Sequence, residues 1–424
     1  MDSFVIQGGT RLRGEVGISG SKNAALPILA AALLTREECV IRGVPDLSDV
    51  RQLCSLLEDL GARVWRDDGQ GLHVKVEDES RCLADYETVR RMRASICVLG
   101  PLLARRGHAE VSMPGGCAIG DRPIDLHLRG MQALGAKLGL ESGNVIAAAP
   151  RLTGTEVFLG GPFGSTVLGT ANVMCAAALA RGTTVIESAA CEPEVVDLGD
   201  FLNAMGARVR GHGSPRIVIE GVEGLRGAEH TVIPDRIEAG TFLIAAAITN
   251  GELTLRNCRC EHMLAAIDRL RLIGVEVERR DGAVRVCSGR RLNPADVTTQ
   301  SYPGFPTDLQ AQLMALLCLA DGNSIITEKV FPDRFMHVAE LGRLGAHLRK
   351  EGATVIVEGV RELIGAPVMA SDLRASAALV LAGMVARGQT TILRVYHIDR
   401  GYERIEQKLN AVGARIQRVS DNAS

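Results

Sequence analysis

The chain contains few lysines and few aromatic residues, and its net charge is close to zero. Only six of its 48 basic residues are lysines, and none lies between Lys137 and Lys329. Phe, Trp and Tyr make up 3% of the 424 residues, and the formal net charge is −2. A balanced charge gives no electrostatic basis for binding nucleic acid or an acidic membrane surface. We therefore expect neither a nucleic acid nor a membrane as a partner.

We also expect no membrane span, signal peptide or zinc site. Its longest apolar run, residues 24–34, is well short of the ~20 residues that a span needs, and the N-terminus has no basic segment before an apolar core. Eleven cysteines are an odd number, and Cys258, Cys260 and Cys287 have no second pair at zinc spacing. We expect a cytoplasmic protein with reduced thiols and neither a metal nor an organic cofactor.

A unit of about 70 residues recurs six times along the chain. Its signature is Leu-Gly-Ala or a close variant, with glycines at positions 61, 135, 206, 274, 345 and 413. Each glycine follows an amphipathic helical pattern, which is typical of the left-handed residue that ends a helix. Alternating stretches after it predict a hairpin. An apolar helix and a strand precede it, and a helix that is apolar on all faces belongs in a core.

Six such units exceed what one core usually holds, so we expect two lobes of three units within the α/β class. Residues 19–23 and 233–236 have turn chemistry at strand-to-helix transitions and are the expected crossing points. Residues 22–233 would then form the N-terminal lobe. Residues 1–21 and 234–424 would form the C-terminal lobe, completed by the N-terminal strand. We expect ligands to bind in a cleft between the lobes.

The stretch from Met113 to His127 carries the clearest signs of chemistry. Three glycines give the backbone freedom around Cys117, and Arg122 follows as a fixed cation suited to phosphate or carboxylate. A thiol with an unperturbed pKa of about 8.5 is mostly protonated at neutral pH. It can therefore serve as a general acid, or as a nucleophile once its pKa is lowered. The alternative is an ordinary surface turn that holds one cysteine.

Several charged residues stand at turns or helix starts outside the repeat pattern. Lys22 begins an apolar helix, where backbone amides would complete a phosphate site, unless it is a solvated lysine. Asp308 precedes another apolar helix and is either a functional carboxylate or an N-cap. The cations of this kind suit a small substrate with several negative charges; they are Lys22, Arg93, Arg122, Arg334, Arg374 and Arg400. No Walker or dinucleotide fingerprint occurs in a convincing context.

These segments resemble the enolpyruvyl transferases that act on UDP-N-acetylglucosamine (1-carboxyvinyltransferases) over essentially the whole chain. The matching segments are Ser21-Lys22-Asn23-Ala24-Ala25-Leu26-Pro27, Met92-Arg93-Ala94-Ser95, residues 114–127, Pro234-Asp235-Arg236-Ile237-Glu238, Phe305-Pro306-Thr307-Asp308, Arg334-Phe335-Met336-His337, Asp372-Leu373-Arg374-Ala375-Ser376 and His397-Ile398-Asp399-Arg400-Gly401-Tyr402-Glu403. The resemblance implies a two-lobed, inside-out α/β barrel with helices inside and sheets outside. It also implies the first committed step of peptidoglycan synthesis, from phosphoenolpyruvate and UDP-N-acetylglucosamine.

The resemblance assigns roles to individual residues. It implies that Lys22, Arg122 and Arg400 hold the phosphate of phosphoenolpyruvate, and that Arg334 and Arg374 hold its carboxylate. Cys117 would be the proton donor and the group alkylated by fosfomycin, and Asp308 would take the proton of the sugar 3-hydroxyl. The catalytic set is then Cys117, Lys22, Asp308 and Arg400. The residues implied in binding the nucleotide sugar are Asn23, Arg93, Arg122, Pro123, Ile124, Asp125, Leu126, Thr166, Val167, Asp308 and Val330.

One segment departs from the family pattern. Relatives of this kind carry a stretch resembling S-V-G-A-T-E-N, whereas this chain has Thr166-Val167-Leu168-Gly169-Thr170-Ala171-Asn172. The change leaves two alternatives open. One is the same reaction on another acceptor, either a different nucleotide sugar or shikimate phosphate. The other is a non-catalytic paralogue that binds the nucleotide sugar.

Overall fold

A computed structural model describes residues 2–69, 71–90, 92–113, 124–289 and 292–420. These residues form two compact units. The C-terminal unit comprises residues 2–19 and 234–420, and the N-terminal unit comprises residues 20–113 and 124–233. The division after Ser19 falls just before the expected boundary at residue 21. Gly20 has no room for a side chain, because a Cβ would lie 1.9 Å from the carbonyl oxygen of Gly43. The backbone amide of Ser21 donates to Ile233 at 2.7 Å.

The N-terminal segment supplies the first two strands, β1 (Asp2–Gln7) and β2 (Arg13–Gly17). The strands of the N-terminal unit are β3 (Cys39–Arg42), β4 (Ala62–Arg66), β5 (Leu72–Val76), β6 (Leu83–Ala84), β7 (His108–Ser112), β8 (Lys137–Glu141), β9 (Asn144–Ala148), β10 (Glu156–Phe158), β11 (Gly160–Gly161), β12 (Gly164–Ser165), β13 (Thr183–Glu187), β14 (Arg208–Arg210), β15 (Arg216–Glu220) and β16 (Glu229–Thr231). Its helices are α1 (Lys22–Ala31), α2 (Ser48–Asp59), α3 (Tyr86–Val89), α4 (Leu99–Arg106), α5 (Asp125–Ala133), α6 (Val167–Ala178) and α7 (Pro193–Ala204), with 3₁₀ turns at Ala32–Leu34 and Arg93–Val98.

The rest of the C-terminal unit follows in chain order. Its strands are β17 (Glu252–Arg256), β18 (Val275–Arg280), β19 (Ala283–Ser288), β20 (Val297–Thr298), β21 (Asn323–Thr327), β22 (His347–Glu351), β23 (Thr354–Glu358), β24 (Pro367–Met369), β25 (Gln389–Leu393) and β26 (Ile416–Ser420). Its helices are α8 (Arg236–Ile248), α9 (Leu264–Ile273), α10 (Gln310–Leu317), α11 (Met336–Arg343), α12 (Leu373–Val385) and α13 (Ile405–Ala411), with 3₁₀ turns at Cys260–Met263, Thr307–Leu309 and Val395–Arg400.

Each unit contains three four-stranded sheets of one repeated design within the described residues. The orders are β16-β3-β5-β4, β6-β7-β9-β8 and β10-β13-β15-β14 in the N-terminal unit, and β2-β17-β19-β18, β20-β21-β23-β22 and β24-β25-β1-β26 in the C-terminal unit. A parallel edge strand pairs with the strand after the buried helix, and an antiparallel hairpin completes the sheet. β1 takes the inner hairpin position beside β26, and β2 is the parallel edge strand beside β17. The sheets remain separate, so the expected barrel is not a closed one.

The six signature glycines all have left-handed backbone conformations, as the sequence predicts. Their φ angles are 86° at Gly61, 95° at Gly135, 101° at Gly206, 100° at Gly274, 88° at Gly345 and 109° at Gly413. They follow α2, α5, α7, α9, α11 and α13 directly or after one residue. Since a residue with a Cβ is strained in this region, glycine is the residue that lets each helix turn into the next strand.

Each unit has its own apolar core, which contains its buried helices. In α8 every residue from Ile237 to Ile248 is buried, and in α12 every residue from Arg374 to Met384 is buried. The prediction that such helices lie in a core is therefore confirmed for both. None of the helices in the described part of the chain is long and apolar enough to cross a membrane.

Candidate active site

The C-terminal unit brings one carboxylate together with two of the predicted arginines. Asp308 Oδ1 accepts a hydrogen bond from Arg334 Nη1 at 2.8 Å, and Asp308 Oδ2 accepts one from Arg374 Nη2 at 3.1 Å. The side chains of Arg334 and Arg374 are 7% and 3% exposed, whereas that of Asp308 is 26% exposed. The arginines thus form a buried cationic pair, and the carboxylate that bonds to both is the more exposed partner.

Three different elements place these side chains. Asp308 lies in the 3₁₀ turn Thr307–Leu309 that precedes α10. Arg334 stands between β21 and α11, and Arg374 is the second residue of α12, whose first turn is capped by the Asp372 carboxylate. The alternative of Asp308 as an N-cap is wrong, because its carboxylate bonds to the two guanidinium groups and not to helix amides.

The electrostatics of this group keep Asp308 ionised. Burial alone would raise the pKa of the Asp308 carboxyl, but the charges and hydrogen bonds of Arg374 and Arg334 hold it well below its ordinary value. Burial would likewise lower the pKa of Arg374, yet the nearby Asp308 charge raises it above its usual range. In this arrangement Asp308 and Arg374 stay oppositely charged at neutral pH, and the carboxylate is a weak base.

A polar network supports Arg374 from its other side. The guanidinium lies over the Tyr402 ring, with 5.3 Å between Cζ and the ring centroid. The Tyr402 hydroxyl is 2.8 Å from Thr241 Oγ1 and accepts from Gln312 Nε2 at 3.1 Å. Gln312 Nε2 also donates to the Asp308 carbonyl oxygen at 2.9 Å, which ties the turn to the network. Arg374 Nη1 is buried without a hydrogen-bond acceptor among the described residues, so it retains a donor for a further anion.

A second buried carboxylate, Glu328, orders the segments that carry Asp308 and Arg334. It is 0% exposed, and one of its oxygens accepts from the amides of Val330 and Phe331 at 2.8 and 3.0 Å. The other accepts from the Thr307 hydroxyl at 2.9 Å. Thr307 Oγ1 in turn accepts from Arg334 Nη1 at 3.0 Å. Sequence reasoning missed Glu328, although an acidic residue directly after a strand and before a turn was the available signal.

The predicted cation Lys22 lies in the N-terminal unit, paired with a carboxylate. It is the first residue of α1, whose N-cap Ser21 accepts from the Ala24 amide at 3.3 Å. Lys22 Nζ donates to Asp49 Oδ2 at 3.0 Å, and the two side chains are 11% and 3% exposed. The alternative of a solvated lysine is therefore wrong. Asn23, the next residue, is half-buried. Asp49 is a second charged partner that sequence reasoning missed.

The remaining predicted residues of the N-terminal unit stand at helix starts. Arg93 begins the 3₁₀ turn before α4. Thr166 is the N-cap of α6, with its hydroxyl accepting from the Gly169 amide at 3.2 Å, and Val167 is the first residue of that helix. Ile124 immediately precedes α5, which begins with Asp125 and Leu126. Cys117, Arg122 and Pro123 lie outside the described residues.

Two more predicted residues belong to the C-terminal unit. Arg400 ends the 3₁₀ turn Val395–Arg400 and is half-buried. Burial lowers the pKa of the neighbouring His397, and the positive charge of Arg400 lowers it further. Val330 is half-buried, and its backbone amide donates a hydrogen bond to the Glu328 carboxylate. The structure therefore brings Asp308, Arg334 and Arg374 into direct contact and leaves the roles of the other residues as predictions.

Comparison with known proteins identifies the family. The family model described as EPSP synthase (3-phosphoshikimate 1-carboxyvinyltransferase) matches residues 6–409. A UDP-N-acetylglucosamine 1-carboxyvinyltransferase of Anaeromyxobacter dehalogenans (strain 2CP-C) is 58% identical over 423 residues, covering 99% of this chain and all of the relative. The chain belongs to the UDP-N-acetylglucosamine 1-carboxyvinyltransferase family. The enzyme of that name from Methylacidiphilum infernorum (isolate V4) is 54% identical over 420 residues, covering 99% of both chains.

Solved structures agree with this family of transferases. The enolpyruvyl transferase NikO from Streptomyces tendae superposes with a TM-score of 0.89 at 27% identity, covering 99% of both chains. An EPSP synthase from Acinetobacter baumannii matches with a TM-score of 0.76 at 17% identity, covering 99% of this chain and all of that one, which bears on the fold alone. The predictions of an enolpyruvyl transferase fold and of a transferase enzyme are confirmed.

Proposed function

We propose that the protein transfers the enolpyruvyl group of phosphoenolpyruvate to the 3-hydroxyl of UDP-N-acetylglucosamine and releases phosphate. The full-length identity of 58% to a transferase named for this acceptor carries the proposal. The buried pair Arg334 and Arg374 supports it, because two guanidinium groups in one place suit a carboxylate-bearing donor. We also propose that the product is a precursor of peptidoglycan and that the protein is cytoplasmic.

The reaction is an addition followed by an elimination. The sugar 3-oxygen attacks C2 of phosphoenolpyruvate while C3 gains a proton, which makes a tetrahedral intermediate. The C2–O bond to phosphate then breaks, and C3 loses a proton as the double bond returns. We assign the proton delivered to C3 to the Cys117 thiol and the removal of the hydroxyl proton to Asp308. In the proposal these two groups move the protons of the reaction.

The cations of the proposed site stabilise the negative charges of the donor. Arg334 and Arg374 would hold the donor carboxylate, and Lys22, Arg122 and Arg400 would hold its phosphate as charge develops on the leaving group. We assign contacts with the nucleotide sugar to Asp308 as well as to Asn23, Arg93, Arg122, Pro123, Ile124, Asp125, Leu126, Thr166, Val167 and Val330.

We propose that the altered segment after Thr166 still binds UDP-N-acetylglucosamine. Gly169 has no room for a side chain, because a Cβ there would lie 2.4 Å from Thr166 Cγ2. Thr166 caps the first turn of α6 by accepting from the Gly169 amide, and the helix start offers its other amides and its positive dipole end to an anion. These donors would hold the diphosphate of the acceptor.

Phosphate release from phosphoenolpyruvate, measured with purified protein, tests the proposal. We expect release with UDP-N-acetylglucosamine and none with UDP-glucose or shikimate 3-phosphate. Release with shikimate 3-phosphate alone would assign a different acceptor, and no release with any of them from folded protein would contradict the proposed reaction. Replacing Cys117 by serine should also abolish labelling by fosfomycin, and unchanged labelling would place the reactive thiol elsewhere.

A further inference from the structure

We propose that the carboxylate of phosphoenolpyruvate displaces Asp308 from Arg334 and Arg374, and that this exchange makes Asp308 available as the base. The inference rests on the proposed function, in which both arginines bind the donor carboxylate. In the structure Asp308 holds these arginines with one oxygen each, at 2.8 and 3.1 Å. A protein carboxylate thus occupies the place proposed for the substrate carboxylate, and the two cannot both fill it.

The paired form of Asp308 is unsuited to proton removal. Both of its oxygens are bonded to guanidinium groups. The two positive charges also hold the pKa of its carboxyl well below the ordinary value, although burial opposes them. A carboxylate stabilised in this way accepts a hydroxyl proton poorly. Loss of the arginine contacts would free the oxygens and raise the pKa towards a range suited to a base.

The arginines are fixed more firmly than the carboxylate, so Asp308 is the partner that moves. Arg374 is 3% exposed and lies over the Tyr402 ring. Arg334 is 7% exposed and donates also to Thr307, which is itself bonded to Glu328. Asp308 is 26% exposed, and its backbone carbonyl is anchored by Gln312. Its side chain can therefore rotate away while its backbone stays in place.

An incoming carboxylate can make a hydrogen bond to Arg374 that Asp308 does not make. Arg374 Nη1 is buried without an acceptor among the described residues, while Nη2 is bonded to Asp308. A substrate carboxylate that takes both nitrogens would satisfy a donor that Asp308 leaves unpaired, and paired bonds to one guanidinium add strength and orientation. It would also bring one negative charge to two positive ones, as Asp308 does now. The exchange therefore conserves charge at the arginine pair and releases the base only when donor is bound.

Direct binding of phosphoenolpyruvate without acceptor tests the exchange. Isothermal titration calorimetry should compare wild type with D308A and D308N. We expect D308A to bind phosphoenolpyruvate at least ~10-fold more tightly than wild type, because no internal carboxylate competes, while turnover is lost. D308N keeps the size of the side chain without its charge and should lie between the two. The control E362Q removes one negative charge from an exposed pair with Arg387 and should leave affinity unchanged.

Thermal unfolding provides a second measurement if D308A is destabilised. Acetate should raise the unfolding midpoint of D308A by replacing the missing carboxylate, and should leave wild type unaffected. Unchanged or weaker binding of phosphoenolpyruvate by D308A would overturn the exchange even if the enzyme acts on UDP-N-acetylglucosamine. Tighter binding of phosphoenolpyruvate by D308A, together with a wild type that is inactive on UDP-N-acetylglucosamine, would support the exchange. It would contradict only the proposed acceptor. If phosphoenolpyruvate bound neither wild type, D308A nor D308N, the result would contradict both the proposed donor and the exchange.

Discussion

The Thr307 hydroxyl donates a 2.9 Å hydrogen bond to the buried carboxylate of Glu328. Because a hydroxyl has one proton, this bond leaves only its lone pairs for other contacts. One of these accepts from Arg334 Nη1 at 3.0 Å. Glu328 thus orients Arg334 through Thr307, although it touches neither Asp308 nor Arg334 in the contacts described. It is a positioning residue for the proposed carboxylate site.

Replacing Glu328 by glutamine should therefore raise the KM for phosphoenolpyruvate more than it lowers kcat. The glutamine oxygen can still accept from Val330 and Phe331, but its NH₂ group would face the Thr307 hydroxyl. The Thr307 hydroxyl would then face two donors and lose the acceptor for its own proton, which weakens its hold on Arg334. The free energy of unfolding should fall by about 1–3 kcal/mol, as expected when a buried polar group loses a partner. Steady-state kinetics and thermal unfolding measure the two effects.

Replacing Thr299 by valine provides the matched control for Glu328. The Thr299 hydroxyl donates to the other oxygen of Glu328 at 2.5 Å and accepts from the Lys329 amide, but has no bond to Arg334. T299V should lose similar stability and keep the wild-type KM. Equal increases in KM for both variants would show that Glu328 acts only through stability.

Replacing Arg374 by lysine should raise the KM for phosphoenolpyruvate at least ~10-fold, a loss of about 1.4 kcal/mol. Lysine keeps the charge but lacks the two parallel N–H groups of the guanidinium. It also cannot stack on Tyr402 in the same way. R387K, which changes an exposed arginine paired with Glu362 at 3.1 Å, should behave as wild type. Equal kinetics for R374K and wild type would remove Arg374 from the donor site.

The signature glycines allow a stability test within one helix. Gly345 follows α11 with a φ of 88°, while Gly342 lies inside that helix, and neither has an atom within 4 Å of its built Cβ. G345A should cost about 1 kcal/mol because alanine is strained at positive φ. G342A should instead stabilise by up to ~1 kcal/mol, because alanine favours helix. Thermal unfolding of the two variants measures both, and equal effects would contradict the conformational argument.

The repeat and the helix ends were predictable because they rest on local rules. A glycine at C′ and an apolar helix upstream leave marks within a few residues, and six spaced copies reinforce each other. The partnership of Asp308 with Arg374 joins residues that are 66 positions apart, and that with Arg334 joins residues 26 apart. Spacing alone placed each of them at a turn but could not pair them. The same holds for Lys22 and Asp49, since nothing local to Asp49 marks it as a buried partner.

The buried imidazole of His337 should make the protein less stable in mild acid. His337 is 1% exposed on α11. Burial lowers its pKa to about 4, opposed by the Asp372 charge and assisted by that of Arg334. Since the unfolded chain takes up this proton near pH 6.5, the stability contribution is complete above that pH. It is lost as the pH falls from about 6.5 towards 4, to the extent of about 3 kcal/mol.

The variant H337Q should flatten this pH dependence, because glutamine does not titrate. The unfolding midpoint of wild type should fall more between pH 7 and pH 4.5 than that of H337Q. The control H347Q changes an exposed histidine 3.7 Å from Glu358 and should keep the wild-type profile. If H337Q and wild type lose stability in parallel over this range, the acid sensitivity arises from other groups, and the pKa of His337 is the same in the folded and unfolded chain.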